Sequence, residues 1–166
     1  MINAEKHKRI RVFGPCGSGK SYLTSKISKQ LNLIHYETDN MIWNRKENIK
    51  YTRDKRNKNL KDIMSKESWL IEGAQYKWSF ESFQEADLVI YIDPKPSRLY
   101  SRIISRFIKM QINPMDYNYK QSLKELFEMF IQTREYYKTT RDDFVGRIEA
   151  VSTEVLILND SILKIK

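Results

Sequence analysis

The sequence predicts an α/β protein, a mostly parallel sheet with helices covering both faces. Three observations carry that expectation. Short apolar runs alternate along the chain with stretches of helical periodicity. A glycine-rich segment, GPCGSGKS at residues 14–21, joins the first apolar run to the first helical one. Asp39, Glu72 and Asp93 each stand just beyond an apolar run, at the strand ends where such sheets bind ligands.

At 166 residues the chain suits one domain, 1–166, with a core of its own. Its single cysteine, Cys16, excludes an internal disulfide and fits a reducing compartment. The opening MINAEKHKRI lacks the apolar core of a secretory leader, and no apolar run approaches the ~20 residues needed to cross a bilayer. A soluble, cytoplasmic protein without a membrane partner is expected. The formal charge of +9 supports either a nucleic-acid partner or a solvated lysine-rich surface with arginines gathered around a nucleotide. The lysines are spread rather than blocked, so nucleic acid is the less favoured partner.

The elements follow in order. Arg9 to Phe13 reads as a strand, and Lys20 to Leu31 as a helix with Leu23, Ile27 and Leu31 on one face. Residues 33–36 form a second strand that runs into the polar ETDN. Residues 52–64 form a charged surface helix. SWLIEG at 68–73 and ADLVIYID at 86–93 read as buried strands. Pro94 and Pro96 break the chain before a helix over 97–110, with Ser97 as its N-cap. Asn113 and Pro114 mark a turn. A long helix over 120–138 carries Leu123, Leu126, Phe127, Phe130 and Ile131 on its apolar side, and TEVLIL at 153–158 is the last strand.

The segment from Gly14 through Pro15, Cys16, Gly17, Ser18, Gly19 and Lys20 to Ser21 satisfies G-x-x-x-x-G-K-[ST] in full. Its glycines let the backbone curl with N–H groups turned toward a phosphate, and the following helix points its positive dipole end at the same anion. Lys20 can reach β- and γ-phosphate oxygens, and the Ser21 hydroxyl can ligate Mg²⁺. Tyr22 follows at the mouth of the loop. ATP and Mg²⁺ are the expected cofactors. Cys16 is a small filler of the loop.

A GTPase would place Asn-Lys-x-Asp after a late strand. The Asn57-Lys58 pair lacks the Asp and lies in the charged surface segment, so that class is excluded. What remains is a compact kinase of the nucleotide and small-metabolite type, or a nucleotide-dependent regulatory protein. Glu72 and Asp93 are alternative carboxylates for the magnesium. Likeness to compact P-loop kinases, whose third strand pairs with the loop strand, favours Glu72, and Gly73 after it would let a ligand approach the backbone. Asp39 can accept the proton of a substrate hydroxyl or bind substrate, or it can cap the segment that follows.

Arg98, Arg102 and Arg106, spaced four apart, share one helix face and with Lys109 form a basic stripe. Planar guanidinium forks match a transferring phosphoryl group, and a lid that carries them would keep water out. Arg134 and Arg141 are weaker lid candidates. Tyr117, Tyr119, Tyr136 and Tyr137 read as packing residues.

Taken together, FGPCGSGKSYL, YETDNMIW, WLIEGAQYKW and ADLVIYIDPKPSRLYSRIISRF resemble the small P-loop proteins called DNA topology modulation proteins (FlaR-like) over nearly the whole chain. That family is similar to adenylate kinase and shikimate kinase in architecture. The resemblance implies a P-loop NTPase three-layer sandwich, adenylate-kinase-like, with a five-stranded parallel sheet in the order 2-3-1-4-5. It also implies a helical lid, over about residues 107–141, between the fourth and fifth strands. Asp39 falls where related kinases keep a substrate-binding carboxylate, and Glu72-Gly73 where nucleotide kinases carry Asp-Gly. Those kinases continue with an arginine that grips the acceptor phosphate, whereas this chain reads Ala74-Gln75. The expected catalytic residues are Lys20, Asp39, Arg102 and Arg106, with Ser21 and Glu72 at the metal. The expected function is phosphate transfer from ATP to a small-molecule or nucleotide acceptor, the alternative being an ATP-switched nucleic-acid regulator.

Overall fold

The computed structural model describes residues 2, 3, 5–44, 47, 49–113, 121–151 and 153–159. Strand β1 (Arg9–Phe13) runs directly into the glycine loop, and α1 (Lys20–Leu31) leaves it. Gly19 stands at the N-cap of α1 with φ 95°, a left-handed conformation that a glycine adopts without strain. Strand β2 (His35–Glu37) passes into α2 (Thr38–Ile42) with no intervening loop. A two-stranded antiparallel ribbon follows, β3 (Trp43–Asn44) with β4 (Ile49–Lys50), which the sequence did not suggest because its strands are too short to show alternation. Helix α3 (Arg53–Met64) opens at Thr52, whose hydroxyl accepts the Lys55 N–H.

Strand β5 (Trp69–Gly73), α4 (Glu81–Gln84) and β6 (Leu88–Ile92) come next, and α5 (Pro96–Ile112) follows β6. The N-cap of α5 is Lys95, not Ser97: Pro96 takes the first helical position, where a missing N–H costs nothing. Helix α6 (Leu123–Glu135) begins at a Ser122–Glu125 capping box, later than the predicted start. A π-helical turn (Tyr136–Thr140) then precedes α7 (Arg141–Ile148), a separate helix that the sequence reading missed. Strand β7 (Glu154–Leu158) ends the described chain. Pro114, Tyr117, Tyr119, Lys120 and residues 160–166 lie outside the described residues.

The main sheet is fully parallel, in the order β2-β5-β1-β6-β7. Counted within that sheet, this is the expected 2-3-1-4-5. Its strands alternate their side chains between two apolar layers. Ile10, Val12, Leu70, Leu88 and Ile90 meet Leu23 and Ile27 of α1 on one face. Phe13, Trp69, Ile71 and Tyr91 meet Met64 of α3, Phe83 of α4 and Phe144 of α7 on the other, where the Phe13 and Phe144 rings stack 3.9 Å apart. A smaller cluster, Leu99, Ile103 and Met129, joins α5 to α6. Among the described residues, no helix is long and apolar enough to cross a membrane.

One buried charge interrupts the aromatic layer. Arg11 is fully buried and donates to Val12 O at 2.6 Å, Gln75 O at 3.0 Å and Ser82 Oγ at 3.1 Å. Burial lowers its pKa to about 9 while the Glu72 carboxylate pulls it back up. The guanidinium therefore ties the end of β1 to the turn after β5, below the loop.

Candidate functional site

Register builds the site. Val12 pairs with Glu72 and Phe13 with Gly73, so the glycine loop leaves β1 level with the end of β5. Glu37 pairs with Glu72 across the β2–β5 edge, which brings the start of α2 to the same level. Gly73 allows the close approach: a Cβ there would collide with Thr38 Oγ1. Thr38 is itself fully buried, and its neighbour Asp39 is exposed toward the opening.

The resulting cavity measures about 530 Å³. Cys16, Gly17, Gly19, Lys20, Ser21 and Tyr22 line it, together with Asp39, Glu72, Arg102 and Arg106. Of the predicted loop residues, Gly14, Pro15 and Ser18 are not on the wall. Gly14 lies against Ile92 O and Ser18 Oγ, and the Ser18 N–H closes the turn onto Pro15 O at 3.1 Å. A loop that curls must turn some positions inward.

Lys20 Nζ donates to Pro15 O at 2.9 Å, across the loop. Its burial lowers the ammonium pKa, and the Glu72 carboxylate opposes that shift. Ser21 Oγ donates to Glu72 Oε1 at 2.8 Å. Burial alone would raise the Glu72 pKa, yet His35, Lys20 and Ser21 outweigh it and hold the carboxyl below its ordinary range. Glu72 Oε2 is buried with no hydrogen-bond partner among the described residues.

Arg102 Nη1 donates to Ser18 O at 2.8 Å, so α5 is pinned to the back of the loop. Arg106 Nη2 donates to Met129 Sδ at 3.1 Å, a weak acceptor, and its Nε is buried without a partner among the described residues. Arg98 and Lys109 sit outside the cavity wall, on exposed positions of the same helix. Two expectations are corrected. Arg141, read as a lid candidate, binds Asp93 instead, with Nη2 2.8 Å from Oδ2. Asp93 also accepts from Tyr136, so this alternative metal carboxylate is engaged at the base of α7. Tyr136 and Tyr137 pack as expected, edge to face at 4.9 Å. Arg134 is exposed on α6, away from the cavity wall.

Two cavity residues escaped the sequence reading, Glu37 and Thr38, while Ala74, named there only as a departure from the nucleotide kinases, also lines the wall. The signal for Glu37 was present in HYE, where positions two apart share a strand face.

The architecture now bears comparison with known proteins. The chain superposes on shikimate kinase from Acinetobacter baumannii, in complex with shikimate, with a TM-score of 0.60 at 15% identity, covering 95% of this chain and 87% of that one. Shikimate kinase from Bacteroides thetaiotaomicron gives 0.58 at 16% identity, covering 94% and 88%. The fold is that of the small P-loop kinases. A gluconokinase from Sinorhizobium meliloti 1021 gives 0.52 at 17% identity, covering 92% and 83%. No protein-family model matches the chain. In sequence it is 33% identical over 105 residues to the uncharacterized protein YqaC of Bacillus subtilis (strain 168), a match that covers 60% of this chain. The chain spans 59% of the length of that curated relative.

Proposed function

We propose that the protein is an ATP- and Mg²⁺-dependent phosphotransferase of the small-kinase type, acting on a hydroxyl-bearing acceptor. One observation carries the reading: the phosphate loop, an exposed carboxylate at Asp39 and two arginines of α5 line a single cavity. The shikimate kinase and gluconokinase likenesses support the kinase fold on which it rests.

In this reading the loop amides and Lys20 hold the polyphosphate, with the α1 dipole behind them. Asp39 orients the acceptor hydroxyl and takes its proton as the oxygen attacks. Arg102 and Arg106 offset the charge that develops on the transferring group. Within the expected lid segment, the described residues 107–113 and 121–135 serve to exclude water. Ser21 Oγ and Glu72 Oε1, 2.8 Å apart with a further carboxylate oxygen unpartnered, suit a hard dication. Magnesium bound there would draw charge from the phosphate oxygens. Ala74 lines the cavity, and the chain reads Ala74-Gln75 where the nucleotide kinases it resembles continue with an arginine, which favours a metabolite over a nucleoside monophosphate. The single free cysteine suits a cytoplasmic setting. The +9 charge alone supports the rival of an ATP-switched nucleic-acid regulator, whereas arginines at the cavity support transfer.

The test is incubation with γ-labelled ATP, Mg²⁺ and a panel of polyols, hydroxy acids and nucleosides. Label recovered on one acceptor class is the expected result. A folded protein that neither binds ATP at millimolar concentration nor transfers label overturns the reading.

A further inference from the structure

A set of side chains at the edge of the cavity is chemically unlike a magnesium site. His35 and Glu37 alternate onto the same face of β2, and Glu72 stands opposite Glu37 on β5. Each offers one ligand atom, and these atoms all lie within 4.8 Å of one another. His35 Nε2 is 3.7 Å from Glu72 Oε1, too long for a hydrogen bond. Glu72 is only 4% exposed, and its Oε2 is buried with no partner among the described residues. A buried carboxylate oxygen and a buried imidazole nitrogen, neither with a hydrogen-bond partner among the described residues, form a costly pair that a shared cation would satisfy.

The spacing is close to what a metal requires. Bonds of about 2.1 Å put neighbouring ligand atoms about 3 to 3.4 Å apart and opposite ones about 4.2 Å apart. Side-chain rotations of under about 1 Å would therefore close this set around an ion. The donor set also selects the ion. Mg²⁺ favours carboxylate and water oxygens, whereas an imidazole beside two carboxylates suits the later first-row ions such as Fe²⁺, Co²⁺ and Zn²⁺. Two carboxylates balance the double charge and leave room for water or a phosphate oxygen.

We propose that His35, Glu37 and Glu72 form a binding site for a divalent first-row transition ion, with Mn²⁺ and Co²⁺ as its spectroscopic probes, held by the protein before any nucleotide arrives. The site shares Glu72 with the phosphotransfer reading and rests on it only for the use of the ion, not for its binding. His35 distinguishes it from the Ser21–Glu72 oxygen pair.

Titration of the untagged full chain with Mn²⁺, without nucleotide, tests this by loss of the free-ion paramagnetic resonance signal. One equivalent per chain is expected to bind, and a tenfold excess of Mg²⁺ should leave it in place. His35→Ala and Glu37→Gln should each weaken binding by about tenfold or more. Should one variant fail to fold by circular dichroism, the other decides. Co²⁺ added to the wild-type protein should show visible bands without a thiolate charge-transfer band. Absence of binding by both Mn²⁺ and Co²⁺, binding unchanged in the folded variants, equal competition by Mg²⁺, or a thiolate band that places the ion at Cys16 would each overturn the proposal. Lys20→Ala separates the two readings: ATP binding should fall while Mn²⁺ binding persists. Mn²⁺ binding in a chain that transfers no label would leave the metal site standing and the kinase reading refuted.

Discussion

The Ser21 hydroxyl donates to Glu72 Oε1 at 2.8 Å, so the first turn of α1 is bonded to the last polar residue of β5. These side chains are 51 residues apart in the chain and meet because β5, not β2, lies beside β1. A loop that looks self-contained in sequence thus has its carboxylate delivered by another strand.

Lys20 bridges the loop and is partly sheltered from water. Lys20→Ala is expected to lower ATP turnover by about 10²-fold or more, as for removal of an electrostatic stabiliser. A turnover assay with label transfer checks it, and wild-type rates in the variant would refute the loop's role.

Asp39 is exposed at the start of α2, and no side-chain cap bond forms at that helix end. Asp39→Asn should leave ATP affinity unchanged and reduce transfer by about 10²- to 10⁴-fold, the range of a general base. Calorimetric ATP binding and single-turnover transfer separate the effects. Undiminished transfer would make Asp39 a structural residue.

Gly73→Ala should destabilise the fold by about 1–3 kcal/mol, because the new methyl meets Thr38 Oγ1 and the aromatic layer behind leaves little room to yield. Thr38→Ala removes the colliding oxygen, so the double variant should be less destabilised than the sum of the singles. Urea unfolding of the four proteins measures that coupling. Strict additivity would show that the two residues do not press on one another.

The Tyr91 and Tyr136 hydroxyls share a hydrogen bond, and burial raises both pKa values above the ordinary 10.0. Unfolding exposes phenols that ionise near that ordinary value, so above it the unfolded chain holds fewer protons. Stability is therefore complete below pH 10 and falls as pH rises, by up to about 1.4 kcal/mol per pH unit per tyrosine. Tyr136→Phe should reduce the slope between pH 10 and 11.5, as read from urea unfolding. An unchanged slope would mean that these phenols ionise freely in the folded state.

Phe144 is fully buried and touches Phe13, Tyr76, Phe83 and Tyr91. Phe144→Ala should cost about 3–5 kcal/mol and lower the thermal midpoint accordingly. A loss under about 1 kcal/mol would contradict the packing of α7 on the sheet.

The central strands β5 and β6 were legible because a fully covered parallel sheet needs nearly continuous apolar runs, and WLIEG and LVIYI are such runs. The loop was legible because its glycines, lysine and serine are adjacent in the chain. α7 was not, since Arg141-Asp142-Asp143 looks like the solvated tail of the preceding helix, and the π-helical turn that starts a new one at Thr140 has no residue signature. Arg11 escaped as well: in a buried strand, a charge is admitted only when carbonyls elsewhere in the fold accept its protons.

By itself the sequence determined the α/β class, the phosphate loop and the candidacy of Asp39, Glu72 and the α5 arginines, because each depends on residues close together along the chain. Only the tertiary structure decided which carboxylate lies against the loop. Asp93 is drawn off by Arg141, while Glu72 turns to Ser21 and stands beside Glu37 and His35. The reason is physical: periodicity sets which way a side chain points along its own strand, but strand order and register set what it meets there.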